Sequence, residues 1–284
     1  MVKDLRRLSG AGIMECKEAL KESEGNVDTA LEFLRKKGAA KAAKKADRST
    51  KEGAINIQTS GGSAALVEIK CETDFVSRND KFQGLCARLA TLALNEGPQA
   101  DEDAFMNLSS GNGSKTISDL ITESIHELGE NILVGRRVWM KLDGDGGLGS
   151  YVHGAGSIGV LVDVGCDSAD ATQKEEFKAL LKDISMHIAA ANPVAIDEND
   201  VSPEALAKEK EIFEAQAKES GKPDNIIPKI VEGKIKKYYK EICLLKQAYV
   251  KDPDKSVKEY LDETAKNIGA SVSIRKFNRV QLGE

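Results

Sequence analysis

The sequence predicts an α+β protein: a small module of three helices, then two related α+β halves, each built on an antiparallel sheet. Three observations predict it. Ala65 to Cys71 and Val160 to Cys166 are short apolar-rich runs; in the first, Val67, Ile69 and Cys71 alternate with Leu66, Glu68 and Lys70, as a half-buried strand requires. The two runs are copies. Sliding Cys71 onto Cys166 turns Ala65-Leu66-Val67-Glu68-Ile69-Lys70-Cys71-Glu72-Thr73 into Val160-Leu161-Val162-Asp163-Val164-Gly165-Cys166-Asp167-Ser168, and the helical stripe Phe82, Cys86, Leu89, Ala93 maps without a gap onto Phe177, Leu181, Ile184, Ile188. Finally, helical periodicity with its own start and stop signals precedes the first copy and interrupts the second.

Residues 1–38 hold the three helices. Leu5 and Leu8 end the first, Ser9-Gly10-Ala11-Gly12 turns the chain, Ile13, Cys16 and Leu20 mark one face of the second, and Asn26 caps a third carrying Val27, Ala30, Leu31 and Leu34, with Gly38 suited to its end. Ile13 and Met14 are adjacent, so a single narrow stripe cannot bury both, and at least one is expected at the surface. Core packing and an adhesive patch are both open to them.

From Arg35 to Lys51 eight positive residues face only Asp47, and no aromatic residue is interleaved to stack bases, so residues 39–52 read as a solvated basic linker. The first α+β half, 53–142, comprises a hairpin turning at Ser60-Gly61-Gly62-Ser63, a helix from a capping box at Ser77-Arg78-Asn79-Asp80, a helix from Thr116 to Leu128, and a strand from Asn131 to Leu142. The second half, 143–284, repeats the plan, its helix starting at Thr172-Gln173-Lys174-Glu175. It carries an insertion at about 202–246. There Ser202-Pro203 opens one long helix, Lys222-Pro223 turns the chain, and a second helix returns. Leu206, Ile212, Phe213 and Ala217 on one arm face Ile227, Ile230, Val231, Ile235, Tyr238 and Ile242 on the other, the pattern of an antiparallel helical finger.

Composition narrows the function. At 284 residues there is room for two or three modest cores, and 41 Lys and Arg against 46 Asp and Glu leave a formal net charge of −5, which argues against direct nucleic-acid binding. No apolar run approaches the ~20 residues that span a bilayer, and the amino terminus lacks a signal-peptide core, so no membrane is expected. Five scattered cysteines without a Cys-x-x-Cys pair fit buried thiols in the reducing cytoplasm. Gly144-Asp145-Gly146-Gly147-Leu148-Gly149 matches a dinucleotide fingerprint by letter, yet joins strand to strand and reads as a flexible connector. His126, His153 and His187 lack metal-site spacing, so neither metal nor cofactor is expected. Cys71 and Cys166 occupy equivalent inward positions, which packing explains for both, while a thiol enzyme would need Cys71 to be special.

The copies part at one place. Asp74-Phe75-Val76 in the first becomes Ala169-Asp170-Ala171 in the second, so the turn after the strand closes without an aromatic residue. Phe75 either meets a partner or folds back on its own sheet.

Four stretches carry a resemblance: Leu5-Arg6-Arg7-Leu8-Ser9-Gly10-Ala11-Gly12-Ile13-Met14-Glu15-Cys16-Lys17-Glu18-Ala19-Leu20, Cys71-Glu72-Thr73-Asp74-Phe75-Val76, Gly149-Ser150-Tyr151-Val152-His153-Gly154, and Met186-His187-Ile188-Ala189-Ala190. Together they are similar to those of bacterial translation elongation factor Ts, over almost the whole chain. The resemblance implies a guanine-nucleotide exchange factor for elongation factor Tu, meeting it GDP-bound and nucleotide-free, without covalent catalysis. It further implies a ubiquitin-associated-like fold for the first module, gripping the partner through Arg6, Ile13 and Met14. Thr73, Asp74, Phe75 and Val76 would dislodge the partner's magnesium, His153 and His187 would be further contacts, and the finger would be the family's coiled coil. Some members continue into an additional carboxyl-terminal helix that touches the partner; ending at Glu284, this sequence is expected to lack that contact. A binding adaptor without exchange activity is the alternative.

Overall fold

The computed structural model describes residues 1–284 except 10, 99, 100, 112, 114 and 222, so the expected turn residues Gly10 and Lys222 lie outside the described residues. The chain divides into two compact units, one of Met1–Met140 with Val152–Gly159 and Val280–Glu284, the other of Lys141–Tyr151 with Val160–Arg279. Helices and small sheets alternate throughout, an α+β protein.

Three helices open the first unit, α1 (Val2–Ser9), α2 (Ile13–Glu22) and α3 (Val27–Ala43). Leu5, Cys16, Ala19, Leu20, Ala30 and Leu34 bury their side chains together, a core limited to what three short helices can enclose. Leu8 stays exposed. Asn26 accepts the Thr29 amide at 3.1 Å and caps α3 as its sequence predicts. The helix does not stop at Gly38. An interior glycine costs only about 1 kcal/mol, and the alanines and lysines beyond it are good helix formers, so α3 runs five residues into the basic stretch. Arg35 pairs with Asp119 at 2.8 Å and Glu15 with His126 at 3.0 Å, setting these helices against the later helix Ile117–Leu128 through polar contacts.

The first sheet has the order β1 (Glu52–Ser60), β2 (Ser63–Cys71), β3 (Leu133–Lys141). β1 and β2 form an antiparallel hairpin closing at Ser60 and Ser63. Among the described residues, four helices lie between β2 and β3: α4 (Asp74–Ser77), α5 (Asp80–Glu96), α6 (Glu102–Met106) and α7 (Ile117–Leu128). Val67, Ile69 and Cys71 pack with Phe82, Leu85, Cys86 and Leu89 of α5, the face that the alternation predicts. β2 is not half-buried, however. Leu66 and Glu68 on its other face are fully buried as well. Burial pushes the Glu68 carboxyl up, but the Arg136 side chain and the amides of Arg136 and Gly283 outweigh it and hold the group below the ordinary carboxylate range.

The second unit repeats this plan with the order β4 (Gly146–His153), β5 (Ile158–Cys166), β8 (Val272–Gln281). Between β5 and β8 lie α8 (Ala169–Thr172), α9 (Glu175–Ala191), the paired α10 (Pro203–Glu219) and α11 (Ile227–Ile242), a two-stranded ribbon of β6 (Ala248–Tyr249) and β7 (Asp252–Ser256), and α12 (Val257–Ile268). The duplication extends to detail. A Cβ on Gly53 would strike the Ile69 carbonyl oxygen and one on Gly146 that of Val164, so each sheet opens on a glycine the next strand requires. Asp163, buried like Glu68, pairs with Arg275 at 3.0 Å.

Two expectations are overturned here. Gly146 to Gly149 is no flexible connector but the start of β4, where side chains at Gly147 or Gly149 would collide with Phe177, Leu181 and Ser185 of α9. In the finger, Ala217, Ile227, Val231 and Ile235 are buried with Leu206, Phe213, Ile230 and Tyr239 beside them, whereas Ile212 faces outward.

Candidate functional site

The candidate site is the connection after β2. The capping box expected at Ser77 does not form. Thr73 caps the single turn of α4, accepting the Val76 amide on its hydroxyl, and Asn79 caps α5 by accepting the Lys81 amide at 2.9 Å, so the chain breaks between two helices instead of entering one. Ser77 closes the first of these turns, its hydroxyl donating to the Asp74 carbonyl at 2.9 Å. The same two-step entry occurs in the copy, where Ser168 caps α8 and α9 starts after Lys174 in place of a box at Thr172.

Within this turn Val76 packs against the core, Asp74 pairs with Arg78 at 3.3 Å, and Phe75 stands 83% exposed. The ring does not fold back on its own sheet. Its exposure sits on a braced base. Glu130, just beyond α7, accepts the amides of Glu72 and Thr73, both at 3.0 Å, on one carboxylate oxygen and the Thr73 hydroxyl at 2.6 Å on the other. Glu72 reaches the opposite way and accepts the Asn131 amide at 2.7 Å. No sequence motif marked Glu130, because it lies far from the turn in the chain and meets it only when β3 pairs beside β2.

Cys71 ends β2 with its thiol donating to the Thr73 carbonyl at 3.3 Å. Burial, followed by the nearby Glu130 charge, pushes this thiol up to about 12, and burial does the same to Cys86. Burial raises a thiol in this way and favours its protonated form, which suits a packing role for Cys71.

The remaining expected residues are scattered. Arg6 is exposed on α1, Ile13 and Met14 open α2 and are 50% and 73% exposed, and His153 is exposed at the end of β4. His187 is different. It is fully buried on α9, Nδ1 accepting the Val250 amide at 3.2 Å and Nε2 facing the Gln247 carbonyl oxygen at 2.9 Å, so both ring nitrogens have partners within the chain. Among the described residues, no group of three or more His, Cys, Asp and Glu side chains is placed to hold a metal ion.

A family model described as elongation factor TS matches residues 72–284. Over the whole length, the chain is 46% identical across 285 residues to elongation factor Ts of Trichlorobacter lovleyi, covering 100% of this chain and 91% of that protein. It is 43% identical across 286 residues to elongation factor Ts of Nitratidesulfovibrio vulgaris, with 95% of that protein covered, and 44% identical across 285 residues to that of Clostridium perfringens, with 92% covered.

Proposed function

The chain belongs to the elongation factor Ts family and is a guanine-nucleotide exchange factor for elongation factor Tu in translation elongation, and we propose that it works by inserting the Phe75 turn beside the partner's nucleotide site and displacing its magnesium ion. One observation carries this reading: Phe75 projects 83% exposed from a turn that the second copy closes without any aromatic residue.

The physics suits the task. Magnesium neutralises phosphate charge and links it to the protein, so moving the ion aside loosens GDP with no covalent step in this chain. Burying one phenyl ring in a crevice supplies about 1.5 to 3 kcal/mol. Raising GDP dissociation by about 10⁴ requires coupling of about 5.5 kcal/mol, so the ring needs grips on either side of it. Reciprocity then sets the cycle, since whatever factor loosens GDP when this protein binds must loosen this protein when nucleotide returns. The partner is accordingly met both GDP-bound and nucleotide-free.

We divide the labour as follows. Residues 1–38, resembling a ubiquitin-associated fold, grip the GTPase domain through Arg6, Ile13 and Met14, and 39–52 link this module to the rest. Residues 53–142 carry Thr73, Asp74, Phe75 and Val76, and 143–284 add a contact at His153 and a coiled-coil finger at about 202–246. The buried position of His187 supports an internal role in place of a contact. Among the described residues no helix is long and apolar enough to cross a membrane, and the family's place in translation supports the cytoplasm as its compartment.

The deciding experiment is release of labelled GDP from elongation factor Tu in stopped flow. An exchange factor accelerates release steeply with its own concentration. An adaptor leaves the rate where it stands without it.

A further inference from the structure

We propose that Glu130 is the positioning residue for exchange, the group that holds the Phe75 turn rigid so that force on the ring displaces the partner's site and not the turn. This rests on the wedge reading of Phe75 above. The argument comes from the duplication. Gly129 and Gly269 each end a twelve-residue helix in the left-handed conformation, which aligns Gly129-Glu130-Asn131 with Gly269-Ala270-Ser271. Between this helix end and the turn the copies share one bond: the Asn131 amide donates to Glu72, and the Ser271 amide donates to Asp167 at 2.8 Å. The other bonds between this helix end and the turn differ. In the second copy the Asp167 amide donates to the Ser271 carbonyl at 3.3 Å, and Ala270 has no side-chain acceptor to offer the turn.

The second copy therefore folds the same turn without this carboxylate. Three bonds to Glu130 are found only in the half that presents an aromatic residue. They fall on the amides of Glu72 and Thr73 and on the Thr73 hydroxyl, which itself caps the α4 turn carrying Phe75. A charged acceptor binds amides more strongly than a neutral one, and fixing these atoms freezes the hinge about which the ring would otherwise yield. Among described contacts the ring has little support of its own, so the stiffness must come from its base.

The test is a double-mutant cycle in the GDP-release assay with full-length protein. Glu130→Ala is expected to lower kcat about tenfold with KM within about twofold, since the grips are untouched, and to have less than about a twofold effect in a Phe75→Ala background. Glu130→Gln, whose carbonyl accepts both amides and whose NH2 reaches the Thr73 oxygen, is expected to recover most of the rate. An equal loss from Glu130→Ala in both backgrounds overturns the proposal while leaving Phe75 as the wedge. An unchanged rate in Phe75→Ala alone removes the wedge reading instead, so the two failures are distinct. Thermal unfolding is followed in parallel, with Glu130→Asp, too short to span all three bonds, as the milder variant expected to give an intermediate, Phe75-dependent loss. Loss of the fold in both the Ala and the Asp variants overturns the proposal, because the carboxylate would then be structural.

Discussion

The ring of His187 and the side-chain amide of Gln247 meet at 2.9 Å in the interior of the second unit. Because Nδ1 already accepts the Val250 amide, the ring carries its proton on Nε2 and donates to Gln247. Gln247 passes the connection on, donating to the Ala191 and Glu241 carbonyls at 3.2 and 2.7 Å and so tying the ends of α9 and α11 together at the root of the finger.

This neutral ring makes stability depend on pH. Burial lowers the His187 pKa from its ordinary 6.5, with the Gln247 bond offsetting part of that. The unfolded chain therefore takes up a proton near pH 6.5 that the folded chain refuses, and this contribution is present above that pH and is lost as pH falls toward the folded value, at up to about 1.4 kcal/mol per pH unit. In urea unfolding, the stability advantage of wild type over His187→Gln is expected to be larger at pH 7.5 than at pH 5.5. A gap that widens in acid contradicts the buried neutral ring.

Phe75→Ala removes the exposed ring and little else. Exchange is expected to fall about tenfold to a hundredfold in kcat/KM, the equivalent of about 1.5 to 3 kcal/mol. The melting temperature is expected to hold, since surface substitutions change stability by only about 0.5 kcal/mol.

Ile13→Asp with Met14→Asp tests the amino-terminal grip. Both side chains are half exposed or more, so the fold is expected to survive while KM for elongation factor Tu rises about tenfold and kcat changes little. A fall in kcat at unchanged KM would place these residues in the release step instead.

Cys71→Ala discriminates packing from chemistry. One heavy atom leaves a filled interior, costing about 1 kcal/mol in unfolding experiments, and GDP release per folded molecule is expected to match wild type.

Glu68→Ala strips the acceptor from the amides of Arg136 and Gly283 and from the Arg136 guanidinium. Arg136 is partly in solvent, so the expected destabilisation is about 2 to 3 kcal/mol, below that of a fully buried pair. Chemical denaturation of the variant measures it directly.

Much of this was legible in the sequence because local rules and packing agreed. Thr116 and Ser256 both cap with an acid three residues on, Ser202-Pro203 starts α10, and the β2 face that packs on α5 follows the alternation. Legibility failed where two local signals competed or a distant element decided. Ser77 matched a capping box, but Thr73 and Asn79 took the amides on either side. The glycines from Gly146 looked like a hinge because the helix that requires them small, α9, comes later in the chain. Phe75 is legible as an exposed ring because the second copy closes the same turn without an aromatic residue, a signal internal to the chain. Glu130 carries no local signal, because it sits at a helix end more than fifty residues from the turn it braces, and only the pairing of Gly129 with Gly269 marks its place.

The paired glycines Gly53 and Gly146 show how strictly both halves are held to one backbone plan. Mutational drift is thereby partitioned. Around Ala169-Asp170-Ala171 a substitution need satisfy only closure of the loop and the packing of Ala171, whereas on the wedge proposal one from Thr73 to Val76 must also preserve the reach of one side chain. A saturation library selected for growth would accordingly read out the two loops at different permissiveness, with the plainer one serving as the neutral baseline for its neighbour.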